Sequence, residues 1–302
     1  MKYTNKNNFP DFVVEWLEHD SYDYDENSLS ATTLMQPPRA YALKKQNWDR
    51  LEIDVEDLIA SRYGTAIHDS VEKVNLTGCK QEERLKKAVK NKVISGKFDI
   101  LKEISDKRWQ LIDVKSTSVW TFIYGSRDEY YKKQLSIYRW LALQNNYDVI
   151  QTAKIWMIFT DWSQAKAKED PKYPQTRIMI KEVELWGDEE TLKYIGERMT
   201  ILEKTAAMDQ SEMPKCTDEE LWTSGESWAI MKDGGKRALK VHKIQKDAEE
   251  QMKTMPPTYH ILHRPGKVAR CRYCTARKFC NQHTDLVEAG RIEDHDNGVK
   301  NE

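Results

Sequence analysis

Two stretches of alternating apolar and polar residues flank Ser105-Asp106-Lys107, and they constrain the fold of this chain more than any other feature. On the first, Phe98 and Ile100 alternate with Lys97, Asp99 and Leu101; on the second, Ile112 and Val114 alternate with Asp113 and Lys115. A period of two identifies strands with one face buried, and the short polar turn between them predicts an antiparallel hairpin. With the turn centred on Asp106, Asp99 falls opposite Asp113. Cross-strand neighbours on one face have Cβ atoms about 4.5 to 5.5 Å apart, and two carboxylates at that spacing repel unless a cation joins them. Lys115, two residues beyond Asp113, points to the same face. The hairpin therefore predicts Asp99, Asp113 and Lys115 together on a polar face, with Phe98, Ile100, Ile112 and Val114 turned into the core.

Two hard carboxylate oxygens suit Mg2+ or Mn2+, which binds a phosphate oxygen and lowers the pKa of a coordinated water. A lysine beside them orients or deprotonates that water, or neutralises charge developing on the phosphate. His68 and Glu72 stand one turn apart on a helix predicted over 64–76, where Ile67, Val71 and Val74 recur at helical spacing, and both are further candidate ligands. A D-x-K triplet on its own is more often a solvent-facing ion pair, so its meaning depends on its surroundings.

Those surroundings mix helix and strand patterns. Residues 30–43 read as a capped entry into a short helix interrupted by Pro37 and Pro38, a loop-rich lid or edge. Residues 126–146 read as a helix with Leu135, Tyr138, Leu141 and Ala142 on one stripe. Strands are predicted over 153–162 and 176–185, joined by a polar linker, and a long amphipathic helix over 188–208. This predicts an α/β chain of the α+β kind, with a mixed central β-sheet flanked by helices. The expected division is an acidic segment over 1–30, a core over 31–210, a basic cysteine-bearing helical region over 211–283 that completes the same fold, and a polar tail over 284–302, frayed beyond His283.

Apolar residues make up 39% and aromatics 10%, which excludes disorder of the whole chain despite 32% charged residues. No apolar run approaches the roughly 18 to 20 residues a bilayer span needs, and the start lacks the charged-then-apolar layout of a signal peptide. The expectation is a soluble protein of the cytoplasm with no membrane association. A net charge of −1 argues against a uniformly basic nucleic-acid coat, but it averages a gradient. From Lys2 to Ser30 seven acids face two lysines, whereas between Met231 and Cys280 thirteen bases face four acids. Such a basic stripe can steer a phosphate backbone, although a solvated helical face is the blander account of any single run.

Five cysteines, an odd number, do not read as a secreted disulfide framework. Cys271, Cys274 and Cys280 have the spacing C-x2-C-x5-C, which brings two thiolates to one metal or cluster from a tight turn and a third from the following helix. Cys216 lies upstream and can complete a set of four; His283 is the other candidate, in a zinc site of three cysteines and one histidine. Thiolate ligation fits both a [4Fe-4S] cluster and a structural Zn2+. Either would tie the basic region to the fold, because metal-binding energy becomes folding energy. Cys79 has no partner at useful spacing.

In order along the chain, GTAIH (64–68), GKFD (96–99), IDVK (112–115) and QLSIY (134–138) resemble the RecB-type branch of the PD-(D/E)xK nucleases. The C-x2-C-x5-C segment resembles the iron-sulfur staple of the CRISPR-associated and AddB-like members. The resemblance spans roughly Ser30 to His283. It implies a restriction-endonuclease-like core, His68, Asp99 and Asp113 as metal ligands, Lys115 as the catalytic lysine, and Gln134 and Tyr138 as substrate contacts, which being four apart share a helix face. CRISPR-associated relatives carry the first cluster cysteine in a serine-rich segment followed by Cys-Pro. The comparable segment here has Gln36-Pro37-Pro38 and no cysteine, so either Cys216, the favoured candidate, is the fourth ligand or the site is not an iron-sulfur cluster; the displacement also favours a stand-alone or phage-type exonuclease over a CRISPR adaptation protein.

The expected function is a Mg2+- or Mn2+-dependent DNA exonuclease of recombination, repair or phage DNA processing, in the host cytoplasm if phage-encoded. Single-stranded ends are the expected substrate, with Trp222, Trp228, Tyr259 and Tyr273 available to stack on unpaired bases. Besides DNA, the expected partners are a second copy or a recombination protein. The competing expectation is a non-catalytic DNA-binding or assembly subunit that keeps the fold and the cluster.

Overall fold

The computed structural model describes residues 1–19 and 28–292. Asp20, Asp23, Asp25 and Glu26 of the acidic run, and residues 293–302 of the tail, lie outside the described residues. The chain divides into two compact units: Met1–Gln36 with Glu52–Glu203, and Pro37–Leu51 with Lys204–Glu302.

The first unit is built on a six-stranded mixed sheet in the order Ile178–Glu184, Thr152–Phe159, Arg108–Thr117, Ile100–Ser105, Cys79–Gln81, with the short strand Asp148–Val149 also paired to Arg108–Thr117. Thr152–Phe159 and Asp148–Val149 run parallel to Arg108–Thr117, and the other pairings are antiparallel. Parallel neighbours need a crossover, which the helix Asp128–Gln144 supplies. Its Leu135, Ile137, Tyr138, Leu141 and Ala142 are buried, as are the alternating Ala153, Ile155, Met157 and Phe159 of the neighbouring strand. The same helix packs on a smaller sheet of Ser28–Ser30, Lys92–Lys97 and Arg84–Val89. A Cβ at Gly96 would lie 2.8 Å from atoms of both Tyr138 and Leu141, so the close approach of helix to strand requires glycine here.

The hairpin pairs Ile100 with Ile112, Leu101 with Leu111, Lys102 with Gln110 and Glu103 with Trp109, the alignment that sets Asp99 against Asp113. An irregularity is confined to the turn, where Ser105 faces Arg108 and Lys107 takes a left-handed φ of 56°. Two expectations change. The alternating stretch before Ser105 does not continue as one strand upstream, because the chain breaks at Phe98-Asp99 between Lys92–Lys97 of the small sheet and Ile100–Ser105 of the large one. Leu101 and Leu111, on the face expected to be polar, are buried along with Ile100, so both faces of the hairpin are covered at this level.

Other elements depart from the periodic reading for local reasons. The helix expected to reach residue 76 runs Ile59–Glu72 and leaves Val74 exposed. Gln81 closes its end, donating to Val71 O and accepting the Leu76 N–H. Residues 30–43 are not a loop-rich lid: they form the helix Ala31–Leu34, capped by Ser30, and the start of the helix Pro38–Gln46, with Leu34, Ala42 and Leu43 buried. The linker after Trp162 contains a short helix, Gln164–Glu169, capped by Ser163.

The second unit, expected to be helical, carries a three-stranded antiparallel sheet in the order Ala238–His242, Ser227–Lys232, Tyr259–Arg264, with the helix Gln245–Met252 packed on it. Of two single turns, Arg270–Tyr273 carries Cys271 and is followed by Cys274, and Arg277–Phe279 is followed by Cys280. They lead into the helix Asn281–Glu288, whose Leu286 is buried beyond the point where fraying was expected. Among the described residues no helix is long and apolar enough to cross a membrane.

Candidate active site

Three separate elements converge at one end of the large sheet. The helix Ile59–Glu72 brings His68, the entry to Ile100–Ser105 brings Asp99, and the strand Arg108–Thr117 brings Asp113 and Lys115. His68 Nδ1 lies 3.6 Å from Asp99 Oδ1 and 3.2 Å from Glu82 Oε1. One ligand atom from each of His68, Glu82 and Asp99 falls within 4.8 Å of the others, a spacing that one cation can bridge. Asp99 Oδ2 accepts the N–H of Val114 at 2.6 Å, which fixes this carboxylate to the neighbouring strand.

Asp113 is 1% exposed, with Oδ2 2.7 Å from Lys115 Nζ, yet neither carboxylate oxygen accepts a hydrogen bond of good geometry. Buried lone pairs left unused are costly, and a bound cation would use them. Burial, and after it the charge of Asp113, pushes the Asp99 carboxyl up to about 7. His68 is raised by its hydrogen bond with Glu82, which together with the Asp99 charge outweighs burial. Burial acts to lower Lys115, but Asp113 and Asp99 outweigh it and hold the ammonium above its ordinary range. Two crowded carboxylates beside a fixed ammonium, with a histidine at the rim, suit a hard divalent cation and a phosphate.

Gln134 and Tyr138 face the same place from the helix Asp128–Gln144. Gln134 Nε2 donates to Tyr138 Oη at 2.9 Å, while Gln134 Oε1 is buried without a partner. Tyr138 lines a cleft of ≈ 330 Å³ together with Thr65, His68, Glu82, Lys97 and Asp99. Burial raises the Tyr138 phenol well above its ordinary range, which keeps it a neutral hydrogen-bond donor. The Tyr131 ring lies 5.9 Å from Lys115 Nζ.

His68, Asp99, Asp113, Lys115, Gln134 and Tyr138 are thus gathered around one site. Glu72 does not join them: it is the exposed last residue of its helix. Glu82 occupies the place expected for it, bonded to His68 and paired with Lys97 at 2.7 Å. Pattern reading missed Glu82 because it sits between strands with a left-handed φ of 52°, outside any helix or strand period. Its backbone N–H donates to Asp99 O at 2.9 Å, so the two acids are anchored together.

In the second unit Cys216, Cys271, Cys274 and Cys280 come within electrostatic reach of one another. Burial, Glu220 and the other three cysteines push the Cys216 thiol up to about 12, and burial with Cys274 and Cys280 pushes Cys271 to about 11. Cys274 and Cys280 pack beside Leu43, Leu51 and Met213, whereas Cys216 and Cys271 pack beside Leu221, Val268 and Leu286. Gln282 clamps Cys216 by accepting its N–H at 2.8 Å and donating to its carbonyl at 3.0 Å. Thiols that burial and mutual repulsion keep protonated are the kind that the charge of a bound metal deprotonates, so the donor set fits a thiolate-ligated metal group. His283 follows on the helix Asn281–Glu288, where its backbone N–H bonds Cys280 O. Cys79 lies in a strand of the first unit.

No curated protein matches the sequence. Among solved structures, the chain is similar to the crystal structure of SSO0001, at 21% identity over 67% of this chain and 91% of that one, with a TM-score of 0.44. It is also similar to a phage related exonuclease from Haemophilus somnus 129PT, at 19% identity over 67% of this chain and 82% of that one, with a TM-score of 0.29. The family model of the PD-(D/E)XK nuclease superfamily matches residues 90–281. That match covers more than half of the chain and takes in Asp99, Asp113, Lys115, Gln134, Tyr138 and the four clustered cysteines, so the chain belongs to the PD-(D/E)XK nuclease superfamily.

Proposed function

We propose that this protein is a divalent-metal-dependent deoxyribonuclease that degrades DNA from single-stranded ends, in recombination, repair or phage DNA processing. The observation that carries this reading is the His68, Glu82 and Asp99 donor group set beside the buried Asp113 and Lys115 pair. Mg2+ or Mn2+ would be held by His68, Asp99, Asp113 and Glu82. When bound, such an ion polarises the phosphate and acidifies the attacking water. Lys115, held as an ammonium by Asp113, donates to the phosphate and stabilises the negative charge that develops there. Glu82 orients the His68 ring through its hydrogen bond, and Tyr138 offers a neutral phenol to the strand.

Trp120 and Tyr124 support the preference for unpaired ends. Their rings stack at 5.9 Å and 19°, and they are 42% and 74% exposed. They lie on the helix Val119–Tyr124, which starts just after the strand that carries Lys115. Asp161 pins the start of that helix by accepting from Ser118 Oγ at 2.6 Å and from the Val119 N–H at 2.7 Å. Lys166 Nζ lies 5.2 Å over the Trp120 ring. A rigid aromatic platform beside a cation suits successive nucleobases of any sequence. Of the aromatics anticipated in the basic region, Trp222 and Tyr273 are exposed, while Trp228 stacks on His263.

The four clustered cysteines are read as ligands of a [4Fe-4S] cluster, with structural Zn2+ as the alternative that metal analysis decides. The thirteen bases between Met231 and Cys280 would steer the DNA backbone and make binding fall with salt.

The test is incubation of labelled linear and circular DNA, single- and double-stranded, with Mg2+ or Mn2+. Expected are degradation of linear single strands, survival of circles, abolition by EDTA, and a rate for Lys115→Ala lower by on the order of 100-fold or more. Absence of metal-dependent cleavage, or a Lys115→Ala variant as fast as the parent, overturns the enzyme reading. Cutting of circles overturns its exonuclease part.

A further inference from the structure

Arg39 is 2% exposed, and its hydrogen bonds go to Met213 O at 2.9 Å, Gln210 O at 3.3 Å, the amide oxygen of Asn281, and Cys280 Sγ, which lies 3.3 Å from Nε. None of these partners is a carboxylate. A guanidinium keeps its charge in any protein environment, and a buried charge without a counter-ion is strongly disfavoured. Three of its four partners are neutral oxygens, and the sulfur alone can become an anion. Lys44 stands near Cys274, and Arg270 and Arg277 near Cys271, so the group of thiols has a cationic surround.

The approach to Cys280 is asymmetric. The residue lines a cleft of ≈ 560 Å³ with Arg50, Lys278, Phe279 and Asn281, which leaves one side of it open. Arg39 meets its sulfur from within the core. The arginine belongs to the first turn of the helix Pro38–Gln46, directly after Gln36-Pro37-Pro38, the segment that has no cysteine of its own.

We propose that Arg39 is the charge partner and positioning residue of the four-cysteine site, its Nε–H bonding the Cys280 sulfur when that sulfur ligates the metal cluster. The inference rests on the cluster reading given above. A hydrogen bond to a ligand sulfur withdraws charge from it, which favours the reduced cluster and hinders exchange of that ligand at its open side. Arg39 then does for the cluster what a histidine's partner does for a zinc site: it fixes the ligand's orientation and tunes the metal.

The experiment uses the full chain purified anaerobically, with iron and sulfide measured first. Arg39→Lys keeps a positive charge but loses the planar fork. Its cluster is expected to load with iron, to have a lower midpoint potential than the parent, and to lose iron to a chelator on the order of 10- to 100-fold faster. A second readout is pulsed EPR of the reduced cluster in protein grown on guanidino-15N arginine, which should show a weakly coupled 15N nucleus that is lost in Arg39→Lys, while any coupling from Arg270 or Arg277 near Cys271 remains. A folded, loaded Arg39→Lys with unchanged potential and unchanged iron release overturns the proposal, and so does a reduced wild-type cluster with no arginine coupling that Arg39→Lys removes. Zinc in place of iron and sulfide overturns the cluster reading instead. Arg39 is then tested by the rate of zinc release, expected to be faster in Arg39→Lys, and equal rates overturn it.

Discussion

Asp99 reaches across the hairpin to Val114, its Oδ2 accepting that residue's backbone N–H at 2.6 Å. One carboxylate oxygen is thereby committed to structure, and Oδ1 faces His68 at 3.6 Å. The division separates two variants. Asp99→Asn keeps an oxygen for the Val114 N–H but loses the charge that a cation needs, so it should fold like the parent while Mn2+ binding disappears from a calorimetric titration. Asp99→Ala leaves a buried N–H without its partner as well, which costs about 1–3 kcal/mol in urea unfolding. Equal stability of the two variants would show that the bond to Val114 does not hold the strand end.

The position of Asp99 also sets a pH dependence. In the metal-free protein burial and Asp113 raise its carboxyl to about 7, whereas an unfolded chain has it near about 3.9. The folded state therefore holds an extra proton between those values, and the stability of the metal-free protein declines as pH rises towards neutrality. His68, raised by its bond with Glu82, titrates with the same sign. A divalent ion needs the carboxylate, so below about pH 7 binding expels a proton and apparent affinity climbs by about tenfold per pH unit. The increase in Tm on adding Mn2+ should grow from about pH 6 to about pH 8; an increase that shrinks over that range contradicts Asp99 as a ligand.

Gly96 tests how closely the site depends on packing. A methyl group there meets Tyr138 and Leu141 side-chain carbons at 2.8 Å, inside any ordinary contact distance. Overpacking of this kind costs about 1–3 kcal/mol, which a urea midpoint will report for Gly96→Ala. Tyr138 lines the cleft, so its displacement should lower cleavage even at a temperature where the variant is fully folded. Full activity in a destabilised variant would separate Tyr138 from the chemistry.

What the sequence made legible follows from periodicity. The hairpin register, the shared face of Asp99, Asp113 and Lys115, and the pairing of Gln134 with Tyr138 all lie on regular elements, where period two or 3.6 determines which side chains meet. Glu82 lies on none, and only the folded turn at φ 52° carries it to His68. The sheet of the second unit was hidden for another reason. Leu239, Lys240 and Val241 are all exposed on one strand, so its alternation does not separate an apolar face from a polar one. Pro37 and Pro38 read as a break because proline stops helices from within, but at a first turn it is tolerated, and here it opens the helix that carries Arg39.

The choice between Glu82 and Glu72 can be settled with paired variants. Glu82 Oε1 lies 3.2 Å from His68 and Oε2 lies 2.7 Å from Lys97, so one carboxylate joins the ring and a lysine at the rim of the cleft. Glu82→Gln preserves volume and one acceptor while removing the charge. The backbone bond from residue 82 to Asp99 O does not involve the side chain, so the fold should survive. Loss of a ligand or of the group that orients one typically weakens metal affinity on the order of 10- to 100-fold, and Mn2+ titration of Glu82→Gln should fall in that range. Glu72 is exposed, and Glu72→Gln should leave affinity and cleavage unchanged. The reverse result, with Glu72→Gln weakened and Glu82→Gln intact, would require the end of the helix Ile59–Glu72 to turn inward when metal binds.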